Sequence, residues 1–196
     1  MIPPTGLPSG NALRDICVRE LLSVSISASA IDRLIKSPAY QALLPEAVLQ
    51  LMGSTIGRSV DRFVARLLKD AKVNEVHRYI AKNFSRIFTT NFDLCFEKAG
   101  AKQSVHLHGS VENPQSMQNQ VFRLGKTAEA ENRAFQLALH QQILLVIGYS
   151  LRDSDVIKSL NEHPPKLILY LSFDGSPPEA RRRIHTNIRV AKGAAE

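Results

Sequence analysis

The 196-residue chain has no tryptophan, four tyrosines and eight phenylalanines. So few aromatic rings give no stacking platform for single-stranded nucleic acid. The two cysteines, Cys17 and Cys95, belong to no CxxC pair, which excludes a four-thiolate zinc site within the chain. Cys17 shares an apolar helical face with Leu13, Ile16 and Leu21 and reads as a reduced core residue. No apolar run approaches the ~20 residues that a membrane span needs. The opening MIPPTGLPSG lacks the basic-then-apolar order of a secretory signal, so a cytoplasmic location is the expectation. No internal repeat and no independent linker breaks the chain, and its length suits one α/β core.

Charge is not scarce, but it is uneven. There are 25 Lys and Arg against 18 Asp and Glu, a net charge of +7. Much of the excess is local, in Arg181, Arg182 and Arg183 and in Arg58, Arg62, Arg66 and Lys69. The second group recurs at three- and four-residue steps and reads as the solvated face of a helix. A basic balance permits nucleic-acid contact without requiring it, and direct contact is not expected here.

What is present is a recurring strand signature. Ile87–Asp93 reads IFTTNFD, Val105–Ser110 reads VHLHGS, and Leu144–Asp155 reads LLVIGYSLRDSD. Each is a short apolar β-type run that ends in polar residues. That pattern describes a buried parallel strand with polar side chains at its carboxyl tip. In open α/β sheets ligands bind at such tips, so Asn91, Asp93, His108 and Ser150 form the candidate site.

The rest of the chain supplies helices. Asn11 is expected to cap a first helix running to about Ser23, and a short helix at Ala30–Lys36 stops at Ser37-Pro38. Pro45 opens another, and a longer one follows to about Lys72, before Asn74 caps NEVHRYIAKNF. Beyond IFTTNFD, helices are expected near Leu94–Ala99, Ala128–His140, Asp153–Glu162 and Pro178–His185. Strands are expected at VHLHGS, Ile143–Gly148, Lys166–Ser172 and Asn187–Ala191. Strands alternating with helices argue an α/β fold, a Rossmann-like parallel sheet with helices on both faces. Residues 30–83 read as a small helical insert within a single domain spanning 1–196.

Four segments resemble the sirtuin-like NAD-binding domains, and within them the bacterial NAD-hydrolysing branch often found in antiphage defence. They are PSG at Pro8–Gly10, TTNFD at Thr89–Asp93, LHGS at Leu107–Ser110 and IGYSLRDSD at Ile147–Asp155. The chain departs from the family in two ways. It lacks the cysteines of the zinc module, which argues against protein deacylation. It also starts just after the family's first strand and its Gly-Ala-Gly turn, a phosphate cradle of backbone N–H groups.

The resemblance implies that an intact form hydrolyses NAD to nicotinamide and ADP-ribose, with NAD as ligand and no zinc. It implies that Asn91 orients water and ribose, that His108 acts as general base, and that Asp93 holds the nicotinamide side. It assigns Gly148 and Ser150 to the adenosine ribose and Ser9 to a mobile loop over the cofactor. Gly10, Thr89, Thr90 and Leu151 complete the implied cofactor contacts. Unchecked NAD loss kills a cell, so a regulatory partner subunit or a homo-oligomer is expected, and no membrane.

The same residues admit plainer readings. Asn91 suits a helix cap, Asp93 a first-turn acid, and Ser150 with Asp153 another cap. His108 suits a hydrogen-bonded core position. His106 and His108, two apart on a strand, share a face and could form a metal pair, with Asp93 as the obvious third ligand. Two further functions stay open beside hydrolysis. One is a module that holds NAD or ADP-ribose without turnover, and the other is an inactive truncated fragment.

Overall fold

The computed structural model describes residues 8–56, 60–117, 129–172 and 175–192. The chain forms two compact units, Met1–Leu124 and Gly125–Glu196. Among the described residues, the first carries helices α1 (Gly10–Leu22), α2 (Ala28–Lys36), α3 (Pro38–Gln41), α4 (Pro45–Ile56), α5 (Val60–Lys69) and α6 (Glu75–Asn83). Strand β1 (Ile87–Thr89), helix α7 (Cys95–Lys98) and strand β2 (Ser104–His106) follow. The second unit carries α8 (Glu129–Leu139), β3 (Ile143–Ile147), α9 (Ser154–Glu162), β4 (Leu167–Ser172) and β5 (Ile188–Lys192).

Every described strand pairing is parallel. β1 pairs with β2, placing Thr89 beside His106, and β4 lies between β3 and β5. Parallel strands need crossovers, which here are largely helical. The chain is therefore Rossmann-like α/β, as the alternation of strand and helix signals predicted.

Serine and asparagine caps set the helix starts. Ser9 accepts the Ala12 N–H, Ser27 that of Ala30, and Ser37 that of Tyr40 with Pro38 opening α3. Ser9, not Asn11, is thus the first cap. Its hydroxyl sits three residues before the N–H it satisfies, and Gly10 already begins the helix. Asn74 and His77 form a reciprocal capping box at α6. The predicted helix at Pro178–His185 is instead a 3-10 segment at Glu179–Arg183.

The stretch 30–83 is not peripheral. With α1 it builds the main core of the first unit, where Cys17, Val18, Ile31, Tyr40, Leu49, Val64 and Met117 pack together. Within that core Arg14 is fully buried. Its guanidinium donates to Asp15 at 2.9 Å, to the Leu43 carbonyl at 3.1 Å and to the Gln41 side chain at 3.3 Å. It also stacks 4.4 Å from the centre of the Tyr40 ring, whose hydroxyl donates to Asp15 at 3.0 Å. Burial first, and then the Asp15 carboxylate, push the Tyr40 phenol up to about 12.

β3 was expected to be a buried strand, and only one of its faces is. Val146 is buried, with Ile168 and Ile188 on the same side of the ladder. On the opposite side Ile143, Leu145 and Ile147 are exposed by 59%, 37% and 40%. A continuous aliphatic run reads as buried on both faces, but side chains alternate and only one face is covered.

The candidate site at the strand tips

β1 and β2 run side by side in the same direction, so their carboxyl tips lie at the same end of one ladder. The polar residues of TTNFD and LHGS emerge there. β1 ends at Thr89, which is buried, and its hydroxyl accepts the Asn91 N–H at 3.0 Å. The Leu107 N–H donates to the Thr89 carbonyl at 2.8 Å, and the Val111 N–H to that of Phe92 at 2.9 Å. Phe92 packs against the helical core. The chain after β1 is therefore laced to the chain after β2 through the backbone, leaving the Asn91 side chain exposed.

Asn91 does not cap the helix that follows. Leu94 holds the cap position without a side-chain cap, and Asp93 before it, 6% exposed, accepts the N–H of the first helical residue, Cys95, at 2.9 Å. Burial, and then the Asp93 hydrogen bond, push the Cys95 thiol up to about 12. His77, which fits no ligand spacing in the sequence, meets this pair: one atom each of His77, Asp93 and Cys95 lies within 4.8 Å of the others. His77 Nδ1 already accepts the Asn74 N–H at 3.3 Å, so the group serves two helix starts.

The two histidines of VHLHGS do different work. β2 ends at His106, and His108 lies beyond it in the turn that follows. The two histidines therefore do not share the face of one strand, the spacing that would have suited a metal pair. His108 is 5% exposed. His106 bridges two elements: Nδ1 donates to the Asn91 carbonyl at 2.7 Å, and Nε2 lies 2.8 Å from Glu97 Oε1 on α7. No motif in the sequence marks this bridging role, because the partners of His106 lie fifteen and nine positions away.

Glu97 also accepts the Ser104 hydroxyl. Burial pushes the Glu97 carboxyl up, but the Ser104 hydroxyl, its own backbone N–H and His106 together hold it below its ordinary value. A carboxyl with a lowered value in the fold favours folding above its unfolded value of about 4.3. That contribution is lost as pH falls through the lower, folded value. Glu97→Gln is expected to flatten the acid limb of a plot of urea midpoint against pH, below about pH 5. An acid limb unchanged in the variant would contradict this assignment.

Gly109 makes the turn after His108 feasible. Its φ is +84°, and a Cβ there would stand 2.3 Å from the Ser116 carbonyl oxygen. The Ser116 hydroxyl in turn accepts the Ser110 N–H at 3.3 Å and donates to the Asn113 carbonyl at 2.7 Å. Gly109→Ala is expected to cost at least about 2 kcal/mol, since both the left-handed backbone and the opposing carbonyl resist a side chain. An unchanged urea midpoint would refute it.

The remaining predicted residues belong to other elements. Ser9 and Gly10 open α1 and are exposed, while the loop residues 1–7 lie outside the described residues. Gly148, Ser150 and Leu151 follow β3 in the second unit. Gly148 has φ +64° and Leu151, fully buried, has φ +54°. A buried leucine in the left-handed region stores strain of the kind found at ligand clamps. Ser150 is exposed. Asp153 stands at the cap position of α9, yet it makes no side-chain cap and accepts the Tyr149 hydroxyl at 2.5 Å instead. Burial and that carboxylate raise the Tyr149 phenol far above its ordinary value.

Among the described residues, no helix is long and apolar enough to cross a membrane. No protein-family model matches the chain, and no curated protein matches it.

Proposed function

We propose that the tips of β1 and β2 bind the nicotinamide riboside end of NAD and cleave it to nicotinamide and ADP-ribose. One observation carries the reading. A parallel strand pair brings an exposed Asn91 amide and the nearly buried His108 to the same carboxyl end, on backbone held by Thr89 and Asp93. The four segments resembling sirtuin-like domains support it.

The chemistry asks little covalent help of the protein. The bond from ribose C1′ to the pyridinium nitrogen breaks, and its electron pair neutralises the departing nicotinamide. A water oxygen bonds to C1′, and its proton leaves. An amide both donates and accepts, so Asn91 can hold that water and a ribose hydroxyl in line. A neutral imidazole nitrogen can take the proton, which is the role of His108. The turn that buries His108 shields it from bulk water, and fixed dipoles act more strongly in such a water-excluded place. In the cell this reading assigns the protein to the cytoplasm. It calls for a regulatory partner or self-assembly, because unrestrained NAD loss is lethal, and it fits a defence role.

NAD binding is tested by thermal unfolding. A ligand of the native state at 100 times its dissociation constant stabilises by about 2.7 kcal/mol, so NAD should raise the midpoint in proportion to its logarithmic concentration. A shift with NAD but no nicotinamide release would favour a module that holds the dinucleotide without turnover. No shift and no release would overturn the proposal.

A further inference from the structure

The Asn91 side chain can act only if its peptide is held. Two hydrogen bonds hold it, and one comes from a side chain outside the β1 segment. The Thr89 hydroxyl fixes the Asn91 N–H, and His106 Nδ1 fixes the Asn91 carbonyl at 2.7 Å. A carbonyl oxygen only accepts, so Nδ1 is the protonated, donating nitrogen. The other end of the ring is fixed by Glu97 at 2.8 Å, and Glu97 is fixed by Ser104. Among the described residues, the charged group bound to His106 is Glu97. Its helix neighbour Lys98 points away, with Nζ donating to the Lys69 carbonyl at 2.7 Å and lying 3.3 Å from that of Ala71. His106 is thus a strut between α7 and the peptide that carries the candidate amide.

We infer that His106 is a positioning residue for Asn91, acting through its Nδ1–H on the Asn91 carbonyl. This rests on the reading that Asn91 serves NAD cleavage. The hydrogen bond itself can be tested without NAD.

Side-chain length separates the two ends of the ring. In asparagine the amide nitrogen stands where histidine has Nδ1, and in glutamine it stands where histidine has Nε2. His106→Asn keeps a donor for the Asn91 carbonyl and gives up Glu97. His106→Gln keeps a group for Glu97 and gives up Asn91. His106→Phe gives up both. A residue needed only to fill space would rank phenylalanine nearest the wild type, and one needed only for Glu97 would favour glutamine.

The direct readout is the backbone amide resonance of Phe92 in an NMR spectrum of the full chain. Its nitrogen shares a peptide with the Asn91 carbonyl and reports whether that oxygen is hydrogen-bonded. The resonance should stay near the wild-type position in His106→Asn and move together in His106→Gln and His106→Phe. Nicotinamide release should follow the same order. kcat is expected to stay within about threefold in His106→Asn and to fall by about tenfold or more in the other two, with KM little changed, since small misplacement is costly in rate.

An unmoved Phe92 resonance in His106→Phe would overturn the inference. So would His106→Asn behaving like His106→Gln in resonance or in kcat. If the wild type releases no nicotinamide, the proposed reaction fails and the Phe92 resonance alone decides whether His106 holds the peptide. Should His106→Phe fail to fold, the difference between His106→Asn and His106→Gln decides the same question.

Discussion

Asn91→Ala is expected to abolish nicotinamide release while leaving the fold intact. The two halves of this expectation have separate causes. Asn91 is fixed through its backbone, by Thr89 on its N–H and by His106 on its carbonyl, and its side chain is exposed. Truncating an exposed side chain away from caps and cores changes stability by no more than about 0.5 kcal/mol. The α7 start is secured by Asp93 rather than by Asn91, so no cap is lost. The catalytic half follows from geometry. In the proposed reaction Asn91 holds the water and ribose in line, and its loss should lower the rate by at least about 100-fold, in the range usual for a positioned acid–base partner. Circular dichroism and a urea titration check the first half, and nicotinamide release the second. Full turnover in a folded Asn91→Ala protein would remove Asn91 from the site. A collapse in stability would make it a structural residue.

The largest effect on stability is expected from Arg14→Ala. The guanidinium is fully buried and holds Asp15, Gln41 and the Leu43 carbonyl while it stacks on Tyr40. Removing it takes the guanidinium donor from the Leu43 carbonyl and leaves the Asp15 carboxylate with the Tyr40 hydroxyl alone. Deleting a fully buried long side chain with its packing and hydrogen bonds costs about 2–5 kcal/mol. Total stabilities are only about 5–15 kcal/mol, so the helical core of the first unit should unfold at much lower urea. Arg14→Lys should recover only part of the loss. An ammonium keeps the charge but cannot fork to three acceptors or stack on the ring. An Arg14→Ala midpoint near that of the wild type would show that the network contributes little.

Arg14 also shows where the sequence misleads. A helical period through Leu13, Ile16, Cys17 and Leu21 puts the apolar stripe slightly to one side of the true one. The buried positions are Leu13, Arg14, Cys17, Val18 and Leu21. An arginine reads as solvent-facing unless its partners are known, and these come from Gln41 and Leu43, nearly thirty residues on. The strands were legible because each apolar run ends abruptly in polar residues, and their parallel pairing follows from the helices between them. β3 was legible as a strand, but its burial was not, because hydrophobicity does not tell which face is covered.

The candidate site shows the same division. TTNFD and LHGS stand out as polar tips, and the parallel ladder joins those two tips. What the sequence could not show is the division of labour among them. Asn91 suits a cap and Asp93 a first-turn acid by residue type, yet Leu94 takes the cap position and Asp93 accepts the Cys95 N–H from outside the helix. His106 and His108 look like a matched pair on one strand until β2 ends at His106. His106 then serves the backbone of Asn91, and His108 is left at the buried turn.

The central claim is the cleavage of NAD at its nicotinamide bond. It is tested most directly by incubating the purified chain with NAD and quantifying nicotinamide and ADP-ribose by chromatography. Equal amounts of the two products, rising with time and with protein, are the expected result. NAD that remains intact at a protein concentration equal to its own, with the protein folded throughout, would contradict it.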